Sequence, residues 1–250
     1  MKEINKCGVY SFPKSGNTWM REILRAAFGD KENTSVSIPD IYERGVNGTP
    51  LRADDGQTWS IYKSHSKNEV TKYAGEMFEN DFIIYILRNP YDVFCSQLNY
   101  LLRGFERNHG GILISTRDVD AAKSQGMISD LFSAFCVYGT LDPYFRDAGN
   151  YIENVSNWLK IKNEEPDRVL FVKYEDMVHD FEAALTPVFT KLGLSSDKAL
   201  AAKDLAEQRT NDGGKFFWKK QANTYKEYLS SDDILKFKKY HGSIMNELGY

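Results

Sequence analysis

The sequence predicts an α/β fold, with a central, mostly parallel sheet flanked by helices, and three observations carry that expectation. Strand-like and helix-like segments alternate along the chain. The stretch from Gly8 to Trp19, Gly-Val-Tyr-Ser-Phe-Pro-Lys-Ser-Gly-Asn-Thr-Trp, passes from a short apolar run through a polar loop into apolar positions at helical spacing. Finally, Phe82-Ile83-Ile84-Tyr85-Ile86-Leu87 is the most apolar run in the chain, too short for a helix of its own and suited to a strand buried on both faces.

In chain order, the first strand ends near Phe12, and a helix follows in which Trp19/Met20, Ile23/Leu24 and Ala27/Phe28 share a face and Gly29 is a candidate C-cap. The polar stretch from Asp30 to Gln57 reads as irregular, and a loop of that length in a compact domain is usually either functional or disordered. Trp59 to Ser66 alternates like a second strand with a polar tip, Lys63-Ser64-His65-Ser66. After the run 82–87, Asn89 is a good N-cap and Pro90 a good first helical residue, so a helix begins there. The segment from Arg103 to Ser129 is again polar, with Gly110-Gly111 as its expected pivot. Helices are expected at 130–138 and 151–161, a strand at Val169–Tyr174, and helices at 181–192, 197–207 and 231–248.

Composition narrows the function classes. The 250 residues suit one domain spanning 1–250, with no linker-like stretch, repeat or low-complexity segment. Contents of 42% hydrophobic and 27% charged residues are those of an ordinary globular chain. A net charge of -3 argues against general nucleic-acid binding, which wants a basic surplus. Cys7, Cys95 and Cys136 have no C-x-x-C spacing, so they read as small buried residues, not as a disulfide framework or a zinc site. Neither a signal-peptide core nor an apolar run near the roughly 18 residues of a membrane span is visible, so a cytoplasmic protein without a membrane partner is expected. No metal site is expected.

The Gly8–Trp19 stretch reads as an anion cradle. A strand–loop–helix junction aims unbonded backbone N–H groups and the positive end of a helix dipole at one point, and Lys14 adds a full charge there. The spacing Gly8-x4-Pro13-Lys14-Ser15 is that of a Walker A loop with proline in place of the second glycine. Proline offers no N–H and no positive φ, which argues against an ordinary nucleoside triphosphatase. In open parallel sheets ligands gather at the carboxyl ends of strands, where Lys14, Lys63, His65 and Arg88 all fall.

These residues carry a family resemblance. Pro13-Lys14-Ser15-Gly16-Asn17-Thr18-Trp19 is similar to the 5′-phosphosulfate loop of the sulfotransferases that use 3′-phosphoadenosine 5′-phosphosulfate (PAPS). Arg88-Asn89-Pro90-Tyr91-Asp92-Val93-Phe94-Cys95-Ser96 resembles that family's 3′-phosphate element, RNPKDVxVS, and Lys63-Ser64-His65-Ser66 its KTHL element. Tyr174-Glu175-Asp176-Met177 resembles its YEDM segment. Phe217 to Ser230 aligns with FRKGxxGDWKNxFT, with Trp218 where the family has arginine and Lys220 and Asn223 where it has glycine.

The resemblance implies a P-loop-like three-layer fold and transfer of a sulfuryl group from PAPS to a hydroxyl or amine of a small-molecule acceptor, leaving 3′-phosphoadenosine 5′-phosphate. It implies that Lys14, Ser15, Gly16, Asn17 and Thr18 cradle the 5′-phosphosulfate, that Arg88, Ser96 and Lys219 hold the 3′-phosphate, and that Trp19 and Tyr174 flank adenine. Lys220 stands as the replacement for the missing arginine's charge. His65 takes the role of catalytic base, with Lys14 and Lys63 stabilising the leaving group.

Two other classes stay open: a small-molecule or nucleoside kinase with a modified loop, and a non-catalytic anion-binding module. The acceptor pocket is expected from the irregular segments, whose acids include Asp40, Glu43, Asp54, Asp55, Glu106, Asp118, Asp120, Glu207 and Asp212. They favour a cationic or polyhydroxylated acceptor. The spelling of the loop and the short chain resemble microbial members, which points to a secondary metabolite.

Overall fold

In the computed structural model, residues 4–29, 36–41, 48–103, 116, 118–141, 146–210 and 218–250 are described. Strand β1 (Asn5–Ser11) lies at the centre of a five-stranded sheet, next to β3 (Thr58–Ser64) on one side and β6 (Phe82–Leu87) on the other, both parallel to it. Beyond β6 comes β7 (Val169–Lys173), again parallel, and beyond β3 the antiparallel pair β2 (Leu51–Arg52). Because the chain leaves β1 toward β3 and then returns to its other side as β6, the crevice at the carboxyl end of β1 is the topological switch point.

Successive side chains of a strand point to opposite faces, and here both faces are covered. Phe82, Ile84 and Ile86 join Cys7, Val9 and Ile61 in one core. That core packs under α1 (Asn17–Phe28), α7 (Phe181–Lys191) and α8 (Lys198–Thr210). Ile83, Tyr85 and Leu87 join Tyr10, Phe12 and Tyr62 in the other, under α2 (Pro90–Leu102), α4 (Ile128–Tyr138), α5 (Tyr151–Glu164) and α9 (Ser231–Glu247). This two-sided burial is why the run 82–87 is apolar throughout. The three cysteines are buried and unpaired. Among the described residues no helix is long and apolar enough to cross a membrane.

The expected elements are present with four differences. The strand at 169 stops at Lys173, opposite Leu87, because β6 ends there and pairing has no further partner; Tyr174 instead opens α6 (Tyr174–His179). The stretch read as irregular contains β2, and a short helix α3 (Val119–Ser124) interrupts the second polar segment, N-capped by Asp118, whose carboxylate accepts the Ala121 N–H at 2.7 Å. A hairpin of β4 (Lys72–Tyr73) and β5 (Glu76–Met77) has no counterpart in the sequence reading. Its turn, Ala74-Gly75, takes positive φ at both residues, a geometry usually signalled by Asn-Gly. Gly110-Gly111 lies outside the described residues.

Candidate functional site

A cleft of about 270 Å³ opens at the carboxyl ends of β1, β3 and β6. Every residue assigned from the sequence lines it except Ser15, which lies buried in the loop behind.

The loop after β1 has an unusual backbone. Lys14 sits at φ 71 and Gly16 at φ 107, so the chain passes twice through the left-handed region before α1 begins. At Gly16 a side chain has no room: a Cβ would lie 2.6 Å from the Tyr174 ring. No side chain caps α1, so its first N–H groups stay aimed at the cleft, as an anion site requires. Asn17 lines the cleft too, while its side-chain amide turns back to donate to the Val9 carbonyl and the Ser11 hydroxyl, both at 3.2 Å, and so braces the loop against β1.

His65 follows β3 and is half-buried. Its Nδ1 lies 2.9 Å from the Ser11 carbonyl oxygen and 3.3 Å from the Ser11 hydroxyl. A carbonyl can only accept, so Nδ1 carries the proton and Nε2 bears the lone pair. Burial, then the nearby Lys63 charge, hold the imidazole pKa well below its ordinary value, opposed by the Ser11 contact. His65 is therefore neutral, in the tautomer a base needs. Lys63 lines the cleft with its ammonium ion-paired to Asp40, and its backbone N–H bonds the Pro39 carbonyl at 2.8 Å.

Arg88 is almost fully buried, with its guanidinium stacked 4.1 Å from the centre of the Tyr174 ring. Its two terminal nitrogens each donate at 3.2 Å, one to the Lys14 carbonyl and one to the Gln221 carbonyl. The fork thus ties the loop after β1 to the C-terminal segment. Trp19 meets Tyr174 edge to face at 5.6 Å between ring centres. Lys219 ion-pairs with Glu227, and Lys220, at φ 46, donates to the Thr210 hydroxyl at 2.8 Å.

The sequence reading missed Asp92, Cys95, Tyr100 and Thr224 as lining residues. Asp92, Ser96 and Tyr100 repeat every four positions on α2, a helical period that could have found them. Tyr100 carries the Lys14 ammonium 4.4 Å from its ring centre. The buried Asp92 carboxylate accepts the N–H groups of Asn223 (2.8 Å) and Tyr225 (2.9 Å), which docks the C-terminal segment on α2. Burial pushes its pKa up, and the Arg88 charge and the amides pull the other way. Thr224 left no signal.

The acids expected around the acceptor are mostly engaged elsewhere. Asp54 pairs with Lys198 and accepts the Ser195 N–H at 2.8 Å, and Asp55 accepts both the backbone and the side-chain N–H groups of Gln57. Neither lines the cleft. Asp118 caps α3 and Asp120 accepts from the Tyr228 hydroxyl. Glu43, Glu106 and Asp212 lie outside the described residues.

Fold and site together define an α/β protein with an anion cradle at the switch point of a parallel sheet. The family profile of the sulfotransferase domain matches residues 6–249, and the chain belongs to that family. Human sulfotransferase 2B1 is 23% identical over 198 residues, which cover 74% of this chain and 45% of the human protein. Cytosolic sulfotransferase 14 of Arabidopsis thaliana is 28% identical over 208 residues, 74% of this chain and 52% of the plant protein. The chain thus spans about half the length of these curated relatives. The structure of mouse sulfotransferase SULT7A1 complexed with PAP matches with a TM-score of 0.60 at 18% identity, over 97% of this chain and 85% of that one, and shows the same P-loop-like fold.

Proposed function

We propose that the chain is a PAPS-dependent sulfotransferase, one domain over 1–250, acting in the cytoplasm on a hydroxyl or amine of a small-molecule acceptor, a secondary metabolite in our reading. The observation that carries it is the convergence of the uncapped α1 N-terminus, Lys14, Lys63 and the tautomer-fixed His65 on one cleft.

The residues present fit the donor. Thr224 Oγ1 and Arg88 Nε belong to residues that line the cleft, and both are buried groups with no hydrogen-bond partner among the described residues. Such groups are costly to leave unsatisfied, and a ligand rich in acceptor oxygens would satisfy them. The 5′-phosphosulfate suits the loop 14–18 and the start of α1; the 3′-phosphate suits Arg88, Ser96, Lys219 and Lys220; adenine suits Trp19 and Tyr174. When bound, PAPS supplies the sulfuryl group.

His65 Nε2, with its lone pair free, would take the proton of the acceptor's hydroxyl or amine as the sulfuryl group passes to it and adenosine 3′,5′-bisphosphate leaves. The Ser11 carbonyl holds the imidazole through Nδ1 and stabilises the imidazolium as it forms. Lys14 and the α1 amides would stabilise charge building on the departing phosphate from the loop, and Lys63, held by Asp40, would do so from β3.

Calorimetric titration of the metal-free protein tests this reading. Adenosine 3′,5′-bisphosphate should bind much more tightly than 5′-AMP or ATP. Equal or preferred binding of ATP would replace the reading with a kinase.

A further inference from the structure

We propose that Glu227 is a specificity-determining residue: it sets how strongly the cleft prefers a nucleotide bearing a 3′-phosphate, by competing with that phosphate for the Lys219 ammonium. The inference rests on the sulfotransferase reading above.

Lys219 lines the cleft, yet its ammonium is ion-paired with Glu227 and lies 5.2 Å from the Trp218 ring centre and 5.1 Å from that of Tyr228. The Lys219 side chain is 27% exposed and that of Glu227 52%, so water reaches the pair and the ammonium can exchange partners. The carboxylate's backbone is fixed. Thr224–Glu227 forms a 3-10 turn, tied on one side by Asp92 to the amides of Asn223 and Tyr225. On the other side Lys123 donates to the Glu227 carbonyl at 2.6 Å, and Tyr228 donates to Asp120 at 2.9 Å. Glu227 can therefore change rotamer but cannot leave.

In the same cleft, Arg88 Nε and Thr224 Oγ1 are buried without a partner among the described residues, which marks where acceptor oxygens belong. An anion seated there meets a lysine held by a carboxylate. Either Lys219 gives up Glu227, or the anion stays beside an unneutralised negative charge; both weaken binding of the second phosphate. A nucleotide with only a 5′-phosphate, seated at the α1 N-terminus, escapes this competition. Glu227 thus lowers the preference for the 3′-phosphate, which lets the bisphosphate product leave sooner.

Calorimetry on wild type and Glu227→Gln, with adenosine 3′,5′-bisphosphate and with 5′-AMP, tests it. The substitution should tighten the bisphosphate about three- to tenfold and change 5′-AMP less than about twofold. In a Lys219→Met background the gain should vanish, which a general change of field or of folding would not produce. An unchanged ratio of the two affinities, equal tightening of both nucleotides, or the same gain without Lys219 would overturn the proposal. If the wild type shows no preference for the bisphosphate, the sulfotransferase reading falls. A preference appearing in Glu227→Gln would then still support the competition, and its absence would overturn that as well.

Discussion

Replacing Gly16 with alanine perturbs the cradle at the point where backbone and ring leave least room. At φ 107 an L residue is strained, by about 1–2 kcal/mol on the scale of left-handed conformations. The new Cβ would also stand 2.6 Å from Cδ2 and 3.1 Å from Cε2 of Tyr174. That ring is buried between Trp19 and the Arg88 guanidinium, so it can yield only by shifting both, an overpacking cost of about 1–3 kcal/mol. Together the loss is about 2–5 kcal/mol. Gly75→Ala supplies the control: φ there is 91 and nothing lies within 4 Å of the added methyl, so only the conformational cost of about 1–2 kcal/mol remains. Urea unfolding of both variants separates the two contributions. Bisphosphate affinity should fall at least about tenfold in Gly16→Ala, since Arg88 moves with the ring, and stay unchanged in Gly75→Ala. Equal destabilisation of the two variants, with affinity kept in both, would refute the reasoning about the Tyr174 contact.

His65→Ala should lower kcat at saturating acceptor by about 10²–10⁴-fold while leaving bisphosphate affinity within about twofold; a loss of only a few-fold would remove His65 as the base. The depressed pKa of His65 also predicts a pH dependence of stability. Its unfolded value is about 6.5 and its folded value lies lower, so the neutral imidazole's contribution is present above about pH 6.5 and is lost as pH falls toward the folded pKa. Urea midpoints at pH 7.5 and 5.5 should fall less in His65→Gln than in wild type. Asp54→Asn should cost no more than about 1 kcal/mol, as expected for an exposed pair, and leave acceptor preference untouched. A change in discrimination between charged and neutral acceptors would return Asp54 to the acceptor site.

The cleft was legible in the sequence wherever a strand ends. An apolar run that breaks into Lys14, Lys63-Ser64-His65 or Arg88-Asn89-Pro90 announces both the element and what its tip presents, because burial and exposure change over within one or two residues. The helices could be read for the same reason. What the sequence could not supply was the partner of each charge. Asp40 meets Lys63 across 23 positions through a bridge between segments that are not neighbours in the chain, and Asp92 receives amides from the far end of the fold. Asn17 reads locally as a loop residue facing a ligand; only the packed strand shows that its amide is needed by Val9 and Ser11. The Asp54 contacts likewise depend on where the segment after α7 falls in space, which no local pattern records.

The double docking of the C-terminal segment also orders events in time. Arg88 reaches the Gln221 carbonyl across 133 positions, and Asp92 the Asn223 amide across 131. Loop closure over such spans comes late in folding, after the local helices and the first strand pairs. During synthesis, a chain that has already built its sheet and the loop after β1 still lacks one wall of the cleft. Nucleotide capture then reports that the C-terminal segment has docked, and a bound nucleotide would hold that segment shut against the local opening by which a protease gains entry.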